Sequence, residues 1–243
     1  MSLASHFQSR IDAWSRLHAG AMLLAVSAYL IWREPTILAA LGGLSFGMFA
    51  YRLRIEWQLK SSWGGAANWV TAARLSLLFL LLTVGQSWPD LVIGGLALLT
   101  LVTDGLDGYL ARKYQTQSLF GEYLDKETDA FFVMSLGLLA WHHSKIGIWV
   151  LGLGLLRYAY VLALIFFKPA EKKESRSFFG QLVAVILMST LIACFVLPRI
   201  IYEPALMLVS GLTVYSFGKS FWGMSRRTGV KQVPQKVKEV VKV

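Results

Sequence analysis

Residues 90–129 read DLVIGGLALLTLVTDGLDGYLARKYQTQSLFGEYLDKETD. The stretch opens as an apolar run, uncharged from Leu91 to Thr103, and then turns acidic. Six of the fourteen acidic residues of the chain fall between positions 104 and 129: Asp104, Asp107, Glu122, Asp125, Glu127 and Asp129. Asp104 and Asp107 are spaced i,i+3 and share one helix face. Asp125 and Asp129 are spaced i,i+4 and share a face of the next helix. A short connection between the two helices lets both faces converge.

Outward from that stretch, 56% of the 243 residues are hydrophobic and 16% are charged. Soluble domains carry about 25% charged residues. Eight apolar segments follow one another, at roughly 17–32, 36–51, 68–87, 90–109, 122–143, 146–167, 178–198 and 204–222. A spanning helix needs about 20 such residues. The expected class is an all-α polytopic membrane protein. The first two segments are short and joined by Arg33-Glu34-Pro35, so they span or form a shallow hairpin, and either leaves the downstream topology unchanged.

Seventeen of the 24 Lys and Arg residues fall in loops on the side of the N-terminus, and three (Arg33, Lys145, Arg199) fall on the other. That asymmetry predicts an integral protein of the cytoplasmic membrane with both termini and the acidic cluster on the cytoplasmic side. The net charge of +10 then reads as attraction to anionic lipid headgroups. Nucleic acid is not expected as a partner. The N-terminal stretch holds Arg10, Asp12 and Arg16 and lacks the short apolar run of a cleavable signal peptide. Cys194, the one cysteine, excludes an internal disulfide and reads as a packing residue.

Leu3, Phe7, Ile11, Trp14 and His18 recur every three to four residues. They predict an amphipathic helix lying on the membrane surface. Leu53, Ile55, Trp57 and Leu59 alternate and read as interfacial. The tail after residue 224 is basic and contains Pro234. The expected organisation is an N-terminal segment and hairpin over 1–66, a six-helix catalytic domain over 67–224, and a tail over 225–243.

Four carboxylates gathered near a membrane repel one another unless cations intervene. Hard oxygen ligands select Mg²⁺ or Mn²⁺. Four negative charges match two divalent ions, and a pair of ions clamps both sides of a phosphoryl displacement. Gly108 and Ala111 leave room for a nucleotide beside the helix. Gly121 allows a close helix approach, and Arg112 offers a bidentate fork to a diphosphate. Glu122 and Glu127 are expected behind the four aspartates or at the surface. His142 and His143 are expected at the opposite membrane interface.

The pattern resembles the signature of the CDP-alcohol phosphatidyltransferases, D-x2-D-G-x2-A-R-x8-G-x3-D-x3-D. Every fixed position is matched, by Asp104, Asp107, Gly108, Ala111, Arg112, Gly121, Asp125 and Asp129. Chance would give all eight on the order of once in ten million chains. A second family feature, N-x2-T-x2-R, is met by Asn68, Thr71 and Arg74. The resemblance implies a six-helix core, to which this chain adds two N-terminal apolar helices. It implies that Asp104, Asp107, Asp125 and Asp129 bind metal and that Asp129 is the general base. It also implies that Asn68, Thr71, Gly108, Ala111, Arg112 and Ser118 meet a CDP-diacylglycerol-type lipid, and that the protein is a homodimer. Arg74 reads as a lipid-phosphate anchor or as part of the site. A transporter or an inactive scaffold are the competing classes. Broken, repeated helices would mark the first, and loss of a signature residue would mark the second.

The acceptor alcohol is less constrained. Glycerophosphate-using members end the motif as L-D-P-L-A-D-K. Here it reads Leu124-Asp125-Lys126-Glu127-Thr128-Asp129-Ala130, and its Asp-Ala ending is similar to aminoalcohol-using members. Arg157 sits mid-segment, where a guanidinium costs at least about 2.5–3.5 kcal/mol and so needs an anion. The Asp cluster or an acceptor phosphate would supply one. Arg157, Lys126 and Arg176, beside Lys172 and Lys173, are therefore the expected acceptor contacts. Glycerol 3-phosphate is favoured over inositol phosphate, with inositol, serine and choline as alternatives.

Overall fold

The computed structural model describes residues 3–54, 66–114, 118–167 and 178–227. Among these residues there are eight α-helices and no strand. They are α1 (Leu3–Trp32), α2 (Pro35–Arg52), α3 (Ala66–Val84), α4 (Asp90–Lys113), α5 (Leu119–His142), α6 (Val150–Phe167), α7 (Phe178–Val196) and α8 (Arg199–Arg227). The stretch around Ile55–Leu59, the loop with Lys172, Lys173 and Arg176, and the basic tail after Arg227 lie outside the described residues.

Local chemistry sets the breaks. Arg33 ends α1 in the left-handed region with φ 62°. Pro35 then occupies the first turn of α2, where its fixed φ suits the helix and its missing N–H is not needed. At the far end of α5, Ser144 makes a similar stop with φ 56°. Below it Asp90 pairs with His143 at 3.1 Å and also with Lys145. That cluster anchors the end of α5 expected at the opposite interface.

α5 is the central helix. It packs against α1, α3, α6 and α7, and every residue from Ala130 to Ala140 is buried. A helix apolar on all sides belongs inside a bundle. Gly154 of α6 crosses it so closely that an added Cβ would stand 2.8 Å from the Met134 Cα. The outer faces are apolar as well, with Leu24, Leu44, Leu91 and Ile200 strongly exposed. Three helical stretches, Ala67–Ser87, Phe178–Val196 and Arg199–Trp222, are long and apolar enough to cross a membrane by length and composition.

The N-terminal region differs from the expected surface helix. Leu3–Trp32 is one unbroken helix, about 45 Å long at 1.5 Å per residue. Phe7, Ile11, Trp14 and His18 are buried, so their stripe faces protein and not lipid. The Trp14 indole stacks on Phe49 with ring centroids 3.9 Å apart and donates to the Ser45 carbonyl at 2.9 Å. The spacing correctly marks an apolar helix face. Spacing alone does not distinguish a protein partner from a membrane.

Candidate active site

Two helices aim carboxylates at one place. Asp104 stands on the C-terminal half of α4, and Asp125 and Asp129 stand one turn apart near the start of α5. One oxygen from each of the three lies within 4.8 Å of the others. The side chains of Asp107, Ala111 and Arg112 lie outside what the structure describes, although their backbone continues α4.

The centre of the triad is a guanidinium. Arg74 of α3 is 1% exposed, and its Nη1 stands 2.6 Å from Asp104 and 3.3 Å from Asp125. Its Nη2 donates to Asp129 at 3.0 Å. A planar fork with several donors suits three converging carboxylates in a way a lysine ammonium does not. Arg74 thus stands within the candidate site, where the sequence left it between two roles. The signal was present in the N-x2-T-x2-R spacing and in the need of a buried arginine for an anion.

Charge decides whether the site suits a cation. Among the described residues three carboxylates converge on one guanidinium, an excess of acidic groups, and the donors are all hard oxygens. That set fits one Mg²⁺- or Mn²⁺-like ion. Asp104, Asp125 and Asp129 would hold it. A second ion would draw on Asp107.

α3 and the start of α5 pack against each other beside the triad. Ser118 caps α5, its hydroxyl accepting from the Gly121 N–H at 2.9 Å. A cap of this kind contributes about 1 kcal/mol, so Ser118 has a structural duty beside its expected ligand role. Asn68 and Thr71 are buried on α3, and the Thr71 hydroxyl donates to the Ala67 carbonyl. Gly121 is where α3 and α5 meet. A Cβ there would stand 2.7 Å from Asn68 Oδ1. Gly121→Ala is therefore expected to push Asn68 aside at a cost of about 1–3 kcal/mol. If Asn68 has the CDP-lipid role expected of it, affinity for that lipid measured on the purified variant should fall about tenfold, and unchanged affinity would remove Asn68 from the expected contacts.

The expected acceptor residues are placed differently. Arg157 donates to Glu127 Oε1 at 2.9 Å. The anion it meets among the described residues is thus a glutamate, itself 1% exposed. Glu127 is thus buried and paired, contrary to a surface position. The reason is geometric. At 100° per residue Glu127 lies on the opposite side of α5 from Asp125 and Asp129. Lys126 pairs with Glu122 at 3.1 Å and lies over the Tyr123 ring.

Residues 65–215 match the model of the CDP-alcohol phosphatidyltransferase family. The chain belongs to that family, whose members transfer a phosphatidyl group from a CDP-alcohol to an acceptor. Neither curated proteins nor solved structures give a match. The matched span covers α3 to α7 and part of α8, and leaves α1 and α2 outside it.

Proposed function

We propose, from that membership, that the protein transfers the phosphatidyl group of a CDP-diacylglycerol-type lipid to a small alcohol and releases CMP. The observation that supports this most directly is the convergence of Asp104, Asp125 and Asp129 around Arg74. In this reading Asp129 accepts the proton of the acceptor hydroxyl. The hydroxyl oxygen forms a bond to the lipid-side phosphorus. The bond from that phosphorus to the bridging oxygen breaks, and CMP leaves with the electron pair. Arg112 holds the diphosphate by its fork, and Asn68, Thr71, Gly108, Ala111 and Ser118 border the CDP-lipid. A divalent ion on the aspartates would neutralise diphosphate charge and polarise its oxygens.

The same reading takes α3 to α8 as the six-helix catalytic core, with both termini and the site on the cytoplasmic side and a homodimer as the working form. For the acceptor, pairing of Arg157 with Glu127 removes one support for a phosphorylated polyol. Lys172, Lys173 and Arg176, which follow α6 in sequence, remain as support, and glycerol 3-phosphate stays ahead of inositol phosphate.

The test is CMP release by the purified full chain with CDP-diacylglycerol and a panel of phosphorylated, zwitterionic and neutral alcohols. One acceptor class is expected to release CMP, and excess chelator should lower that rate at least about 100-fold. Release that persists in chelator would remove the metal from the reading. No release with any acceptor would remove the transferase reading. Use of serine or choline alone would remove the phosphorylated acceptor.

A further inference from the structure

The rear of the catalytic helix carries a polar network that the chemistry above does not use. Glu127 Oε1 receives Arg157 of α6 at 2.9 Å and the Ser15 hydroxyl of α1 at 3.4 Å. Beside it His18 of α1 meets the Ser45 hydroxyl of α2 through Nδ1 at 2.8 Å. The His18 ring also packs edge-on against Tyr158 with centroids 5.6 Å apart. Four helices therefore meet here, two of them outside the matched family span. One turn nearer the start of α5, Gln8 of α1 donates to the Tyr123 hydroxyl at 2.9 Å.

This network is a poor device for stability alone. Glu127 Oε2, His18 Nε2 and Tyr158 Oη are buried and take no hydrogen bond among the described residues. A partly satisfied buried polar network is worse for stability than an apolar filling of the same shape. Its position suggests another use. Glu127 lies between Asp125 and Asp129 in sequence and across the helix axis from them. Turning α5 by about 10° would move a carboxylate held about 6 Å from the axis by about 1 Å. A displacement of that size costs a reaction about 100-fold.

Resting on the transferase reading, we propose that Glu127 is a positioning residue. Held by Arg157 and Ser15, it fixes the rotation of α5 and with it the setting of Asp125 and Asp129. The N-terminal helix α1 is thereby part of the catalytic unit and not an appendage to it.

The experiment uses the full chain in lipid nanodiscs. Glu127→Gln/Arg157→Met removes both charges together, so neither is left buried alone. Thermal unfolding should stay near that of the wild type. KM for CDP-diacylglycerol and for the acceptor should stay within about twofold, and kcat should fall about 30–100-fold. A second variant, Glu127→Asp, keeps the charge and withdraws the carboxylate by one methylene. It should lower kcat about tenfold at unchanged KM. A double variant that folds and turns over within twofold of wild type makes the pair merely structural and overturns the proposal. If the double variant does not fold, Glu127→Asp decides alone, and wild-type kcat there overturns it. A wild type that releases no CMP would remove the transferase reading and this one with it. An active wild type beside an equally active double variant removes this one only.

Discussion

Asp129→Asn is expected to lower CMP release about 10³–10⁴-fold while the variant still folds and binds CDP-lipid. The amide keeps an oxygen that can accept from Arg74 Nη2, now 3.0 Å from Asp129 Oδ1. It cannot accept the proton of the acceptor hydroxyl, and a positioned base contributes about 10²–10⁴-fold. It also withdraws one charge from the set proposed to hold the divalent ion. Turnover with saturating substrates, together with CDP-lipid binding and thermal unfolding, separates these effects. A near wild-type rate in a folded variant would move the base elsewhere. Asp125 is then the next candidate, because it shares the triad. Glu127 is not, because it faces Arg157 on the far side of α5.

What the sequence discloses here follows from the range of each interaction. Asp125 and Asp129 are one turn apart, so their shared face is a local fact, and so is the break at Arg33-Glu34-Pro35. The apolar segments give six of the eight helices nearly to their ends. The convergence of α3, α4 and α5 is a tertiary fact. Spacing could show that Arg74 needs an anion, not that three aspartates would surround it. The same limit explains Arg157. Its burial and need for a counter-charge were legible, yet Glu127 and Asp125 are equally acidic in sequence, and only the rotation of α5 against α6 chooses between them. For α1, a stripe at Phe7, Ile11 and Trp14 fits a membrane or a protein groove equally well. The groove was made by α2 through Ser45 and Phe49, residues about thirty positions away.

Arg74→Leu should be the most damaging single change outside the carboxylates. The guanidinium is 1% exposed, and its three partners are 24%, 29% and 31% exposed. Removing it takes away the guanidinium shared by three carboxylates whose oxygens lie within 4.8 Å of one another. Breaking a buried pair costs about 3–5 kcal/mol, and partial exposure of the aspartates places the cost near about 3 kcal/mol. The loss should depend on divalent ions, since an ion on the same oxygens supplies the missing charge. In chelator the unfolding temperature should drop by about 5–10 °C, and Mg²⁺ or Mn²⁺ should restore most of it. CMP release should still be lost, because the carboxylates are no longer held apart by a fixed fork. Arg74→Lys sharpens the argument. It keeps the charge and so should keep the fold in chelator, but a single ammonium cannot replace donors spread over two nitrogens. Its turnover should fall at least about 100-fold, in line with a displacement of about 1 Å at the reacting groups. Arg74→Lys at wild-type rate would reduce Arg74 to a counter-charge. Arg74→Leu with wild-type unfolding in chelator would mean that the triad does not carry the charge assigned to it.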